Sequence, residues 1–131
     1  MIHQVRVIFG DTDQMGVVYY ANYLRYFESS RAEFLRRMGS SGADLARLGV
    51  GFPVVEAQCR YRKPARYEDL LDIHVSVAQI RAASLRFVYQ VRRDNDVVAD
   101  GSTLHACATT EGRPTRIPAE LRALLDRAIA G

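Results

Sequence analysis

Two aspartates one residue apart, Asp11 and Asp13, stand in a short polar turn ahead of a long apolar-periodic stretch, with Gly16 between them and that stretch. A helix start offers backbone N–H groups that have no partner inside the helix, together with the positive end of the macrodipole. A carboxylate facing such a start can attack a carbonyl or deprotonate a water while the amides hold a developing negative oxygen. The same residue types also serve as turn formers and N-caps, so spacing by itself leaves both readings open.

The elements that must position these residues follow from periodicity. Residues 3–10 alternate Val5, Val7 and Phe9 with polar neighbours, which predicts a half-buried strand. After the turn, Tyr20, Tyr23, Leu24, Phe27, Phe34, Leu35 and Met38 recur at helical spacing and predict a long helix, stopped by Gly39 at a C′-like position. A short helical piece is expected at 43–48, ended by Gly49. Beyond Gly51 the pattern turns to β: strands are expected at 53–63, 69–80, 84–93 and 97–110, with Asp94-Asn95-Asp96 as a tight turn. Pro118 opens a closing helix at 118–129. One long helix is the natural cover for the face that such a sheet must bury.

Composition narrows the classes of function. A chain of 131 residues, 48% hydrophobic and 25% charged, predicts one globular domain spanning 1–131. No run approaches the length of a membrane span, and MIHQVRVIF lacks an apolar signal core. Cys59 and Cys107 are isolated, without metal-ligand or disulfide spacing, and read as reduced thiols of a cytoplasmic protein. The net charge of +3 is spread along the chain rather than clustered, so nucleic acid is not the expected partner. No Walker or GxGxxG pattern supports nucleotide hydrolysis or dinucleotide redox chemistry.

The block FGDTDQMGVVYYANY, residues 9–23, together with its helical sequel, resembles the active-site signature of hotdog-fold acyl-CoA thioesterases related to 4-hydroxybenzoyl-CoA thioesterase, the branch in which a single Asp carries the chemistry. The matching residues are Asp11-Thr12-Asp13, Gly16-Val17-Val18-Tyr19, Asn22-Tyr23 and Arg31. The resemblance continues through Tyr61-Arg62-Lys63-Pro64-Ala65-Arg66-Tyr67, Asp69 and Arg116-Ile117-Pro118. It implies an α+β hotdog fold, an antiparallel sheet wrapped around one long helix in the order βα, four strands and a short C-terminal helix. It also implies a homodimer assembling as a tetramer, with active sites between subunits.

By this resemblance Asp13 is the catalytic carboxylate, as nucleophile or general base, and the Tyr20 backbone N–H polarises the thioester carbonyl, with Gly16 shaping the turn. Asp11, Asn22, Tyr23 and Arg31 are expected in support. Glu28 and Arg31, three apart, can pair along the helix. The Tyr20 ring reads as core. Coenzyme A carries phosphates that call for basic groups; Arg81, Arg113 and Arg116, with Ser84 beside Arg81, match the family's phosphate-contact regions, and Arg62 and Lys63 are set behind them. Some acyl-CoA relatives carry His at position 20 and Tyr at position 9; this chain has Tyr20 and Phe9, and at position 20 looks more like the aryl-CoA branch. His3, His74 and His105 read as structural. The resemblance implies no metal and no cofactor. The function it implies is hydrolysis of acyl-CoA to free acid and CoA. The alternatives are an acyl carrier protein thioesterase of the same fold and a non-catalytic acyl-CoA-binding module.

Overall fold

The computed structural model describes residues 1–130; Gly131, the last residue of the expected domain, lies outside the described residues. Strand β1 (Ile2–Arg6) is followed by a single 3₁₀ turn at Phe9–Asp11, helix α1 (Asn22–Arg37) and helix α2 (Gly42–Arg47). Then come β2 (Val50–Gly51), β3 (Val54–Tyr61), β4 (Leu70–Ile80), β5 (Ser84–Arg93), β6 (Asp96–Ala106), β7 (Ala108–Thr109) and α3 (Ala119–Ala130). Five strands form one antiparallel sheet in the order β1-β4-β5-β6-β3, and β2 pairs with β7 in a separate two-stranded piece.

The register sets which residues face the helix. Ile73 pairs with Val91, Val75 with Tyr89 and Val77 with Phe87, so period-two alternation on β4 and β5 builds one apolar face. α1 lies against that face. Phe27 stacks on Tyr89 with ring centres 4.2 Å apart, and Phe34 meets Phe87 edge-on at 5.7 Å. Gly101, opposite Tyr89 on β6, makes the approach of Phe27 feasible: a Cβ there would run into the Gln58 carbonyl and come within 2.8 Å of the Phe27 ring. One polar chain crosses this core. The Tyr89 hydroxyl and Thr103 Oγ1 are 2.6 Å apart, Thr103 Oγ1 lies 2.7 Å from His105 Nε2, and His105 Nδ1 reaches the Phe52 carbonyl at 2.9 Å. His105 is thus a buried, fully engaged core residue.

This is the hotdog arrangement, an antiparallel sheet curled around a central helix. Several expected boundaries move. The first strand stops at Arg6 instead of running to Gly10, because the Asp11 carboxylate takes the Ile8 N–H and the Thr12 hydroxyl donates to the Phe9 carbonyl, folding the chain into a turn. The long helix starts at Asn22, so Tyr20 precedes it, and its ring is 60% exposed rather than in the core. Leu24 is also exposed. The strand expected at 53–63 ends at Tyr61, and the one expected at 97–110 breaks at Cys107, whose N–H leaves the sheet for the Ala83 carbonyl. The glycine stops at Gly39 and Gly49 have φ of +89° and +73°, the left-handed closure of a helix. No described helix is long and apolar enough to cross a membrane.

Candidate active site

The turn carrying Asp13 is closed by its own backbone. The Asp13 N–H donates to the Val17 carbonyl at 2.9 Å and the Gly16 N–H to the Asp13 carbonyl at 3.0 Å, with Gly16 at φ +77°. Only glycine takes that conformation without strain. The Asp13 side chain is exposed; Oδ1 accepts the Met15 N–H at 2.9 Å, and Oδ2 has no hydrogen-bond partner among the described residues.

Asp11 is the opposite case. It is buried, and its Oδ2 accepts from the Tyr26 hydroxyl at 3.0 Å and the Ile8 N–H at 3.3 Å, while Arg25 lies 3.8 Å from Oδ1. Its carbonyl accepts the Tyr19 N–H and the Asn22 side-chain amide, both at 2.9 Å. Burial, and then the neighbouring Asp11 charge, push the Tyr26 hydroxyl pKa well above its ordinary value, so Tyr26 stays a donor. One residue therefore fastens the turn to α1 by both its side chain and its backbone.

The segment 62–69 supports the turn from the other side. The Val18 N–H donates to the Ala65 carbonyl at 2.8 Å, and Val17 bridges Arg66. That segment is itself clamped: Arg93 Nη1 donates to Asp69 Oδ2 at 2.8 Å and to the Pro64 carbonyl at 3.0 Å, and the Arg66 N–H donates to Asp69 Oδ2 at 2.8 Å. Partial burial would raise the Asp69 pKa, but these donors outweigh it and hold the carboxyl below the usual carboxylate range.

Between turn, helix start and segment lies an open cavity of about 320 Å³, walled by Asp13, Val17, Val18, Tyr20, Tyr23 and Tyr61. Arg62, Lys63 and Pro64 complete its mouth. Tyr23 and Val18 are buried and form the apolar floor. α1 begins without a side-chain cap, since its N-cap residue is Ala21. The N–H groups of Asn22, Tyr23 and Leu24 go to the carbonyls of Tyr19, Tyr20 and Ala21. The Tyr20 N–H has no acceptor among the described residues. Asp13, with an unengaged carboxylate oxygen, and Tyr20, with an unspent backbone donor, thus line the same cavity, a combination that suits acyl transfer from a polarised carbonyl.

The other expected residues fall elsewhere. Arg31 sits mid-helix, 3.8 Å from Glu28 and 3.5 Å from the Tyr89 hydroxyl. Arg81 and Ser84 flank the β4–β5 turn, with the Arg81 N–H donating to the Ser84 carbonyl, and Arg113 and Arg116 follow β7. All four belong to the end of the sheet where β3 begins, whereas Asp13 belongs to the end where β3 finishes. Strand β5 alone, at about 3.4 Å per residue, keeps the two ends roughly 30 Å apart. The basic residues that line the cavity with Asp13 are Arg62 and Lys63, set behind the others on sequence grounds. They pair with Asp100 and Asp96 respectively. Among the described residues no cluster of three or more His, Cys, Asp or Glu is placed to hold a metal ion.

Comparison with known proteins gives the geometry a context. The thioesterase-like superfamily matches residues 7–125. The acyl-CoA thioester hydrolase YbgC of Escherichia coli O6:H1 is 36% identical over 104 residues, covering 79% of this chain and 78% of that relative. Among solved structures, the hypothetical protein TT1821 of Thermus thermophilus is similar with a TM-score of 0.92 and 34% identity, covering 97% of this chain and 98% of that one. The gentisyl-coenzyme A thioesterase BH1999 is similar with a TM-score of 0.87 and 29% identity, covering 93% of this chain and 99% of that one.

Proposed function

The chain belongs to the thioesterase-like superfamily and is a thioester hydrolase, and on that premise we propose that it cleaves acyl-CoA through Asp13. The observation that carries the reading is one cavity lined both by Asp13, whose carboxylate keeps an unengaged oxygen, and by Tyr20, whose N–H has no acceptor among the described residues. In the nucleophilic form of the reaction, Asp13 adds to the thioester carbonyl carbon and the negative oxygen is held by the Tyr20 N–H. The C–S bond then breaks to release CoA thiolate, and water cleaves the resulting anhydride to free acid. In the general-base form, Asp13 removes a proton from the attacking water. A thiolate leaves readily enough that neither route calls on a metal.

Coenzyme A binding by Arg81, Ser84, Arg113 and Arg116 fits this site only through a second subunit. β3 is an edge strand with Val54 and Val55 exposed, an apolar edge of the kind proteins cover. Antiparallel pairing of two β3 edges sets the beginning of one β3 against the end of the other, and so turns the arginine-bearing end of one subunit towards Asp13 of its neighbour. The assembly in this reading is a homodimer, pairing further into a tetramer, in a reducing cytoplasm that suits the free thiols Cys59 and Cys107.

The test is Asp13→Asn, assayed by thiol release on aromatic, short-chain and long-chain acyl-CoAs. A folded variant should lose about a hundredfold or more in kcat. Near wild-type turnover by that variant would remove Asp13 from the mechanism. Faster turnover of acyl carrier protein thioesters than of CoA esters would change the carrier and keep the chemistry.

A further inference from the structure

A helix start without a side-chain cap frays unless something else holds it. The first turn of α1 is held unevenly by its own chain: Asn22 N–H to Tyr19 carbonyl is 2.9 Å, Leu24 N–H to Ala21 carbonyl is 3.2 Å, and Tyr23 N–H to Tyr20 carbonyl is 3.4 Å. The weakest of the three falls on Tyr20, the residue whose N–H is proposed above to receive the thioester oxygen. That carbonyl receives a second, better bond from 41 residues away, the Tyr61 hydroxyl at 3.0 Å.

Tyr61 is well placed to act as a fixed post. It is the last residue of β3, paired with Ala99 on β6. Its ring meets the buried Tyr23 ring edge-on at 5.3 Å and the Tyr20 ring edge-on at 6.3 Å. Such contacts orient the phenol without using its hydroxyl. The bond it makes is to a carbonyl, so it steadies the turn while leaving the Tyr20 N–H unspent.

We propose that Tyr61 is a positioning residue for thioester cleavage: as an external cap on the Tyr20 carbonyl, it restrains the backbone torsions of Tyr20 and so holds in place the residue whose N–H, in the preceding peptide plane, receives the thioester oxygen. The proposal rests on the Asp13 reading above. Burial, followed by the neighbouring Cys59 and tyrosine rings, moves the Tyr61 pKa up to about 12, so the hydroxyl remains a donor throughout the neutral range.

The test compares wild type, Tyr61→Phe and Asp13→Asn by turnover and by infrared spectroscopy. The probe is an acyl-CoA ketone analogue with CH₂ in place of the thioester sulfur and ¹³C at the carbonyl. Tyr61→Phe keeps the ring contacts and removes only the hydroxyl. Its kcat should fall about tenfold or more, part of the roughly 100- to 1,000-fold that a whole oxyanion donor is worth, with KM little changed. The bound carbonyl stretch should shift less from its free value than in wild type. Asp13→Asn should lose turnover and keep the full shift. Wild-type kcat and wild-type shift in Tyr61→Phe would overturn the proposal, as would a raised KM with kcat and shift intact, which is the pattern of a mere packing role. Normal turnover in Asp13→Asn would instead sink the underlying reading, while the spectra of Tyr61→Phe would still decide what the hydroxyl does.

Discussion

Asp11 and Asp13 have the same chemistry and stand two positions apart, yet one is buried with an oxygen that accepts two hydrogen bonds, and the other is exposed with an oxygen to spare. Asp11→Ala removes the acceptor of the Tyr26 hydroxyl and of the Ile8 N–H. It should cost about 1–3 kcal/mol for each group left unsatisfied, read as a lower urea midpoint at an unchanged m-value. The sequence could nominate this pair but not divide its labour. That division depends on Tyr26 reaching back from α1, fifteen residues along, and no local pattern announces such a contact. Arg62 and Lys63 border the cavity for a similarly non-local reason: alternation along a strand would send them to opposite faces, but β3 ends at Tyr61, and past it both residues line the same cavity.

At the level of elements, the strands and helices were legible because their periods are clean, as in Leu71, Ile73 and Val75 on β4. The start of α1 was not, since Ala21 supplies no capping signal and the apolar Tyr20 extends the helical spacing into a turn. The pairing of β3 with β6 across the far edge was equally hidden, being a contact between segments some forty residues apart. Two elements give the fold an acid sensitivity in separate steps. Burial holds the His105 pKa below its ordinary value, so the unfolded chain binds a proton that the native protein resists, and stability should decline as pH falls below about 6.5. Asp69, whose pKa is depressed in the clamped 62–69 segment, adds stability that is present above about pH 4 and is lost as pH falls through its folded value. Urea midpoints measured from about pH 8 down to pH 3 should trace both steps, and His105→Gln should flatten the first while leaving the second.

For the whole molecule, the separation of Asp13 from Arg81, Arg113 and Arg116 makes assembly part of the chemistry in the function proposed above. Light scattering should show a dimer or a larger even assembly, and a stable, active monomer would contradict the shared site. A complementation experiment is sharper. Asp13→Asn subunits and subunits with all three arginines changed to Gln should each be weak alone, the second chiefly through KM and less so at high salt. Refolded together, they should regain part of the wild-type activity, because a mixed dimer assembles one site from the two unaltered contributions. Failure of the mixture to exceed either parent would return the arginines to the solvated surface.

The double attachment of Asp11, carboxylate to Tyr26 and carbonyl to Tyr19 and Asn22, also bears on how such a protein can change over generations. It ties the turn that carries Asp13 to the helix at several points, so the loss of any one contact leaves others holding the two together. The rings of Phe9, Tyr20, Tyr61 and Tyr67 are by contrast all half exposed or more. Of these only Tyr61 donates a hydrogen bond that holds the helix start. Inherited variation can therefore accumulate at the exposed Phe9, Tyr67 and Tyr20 side chains while the turn that carries Asp13 stays where it is.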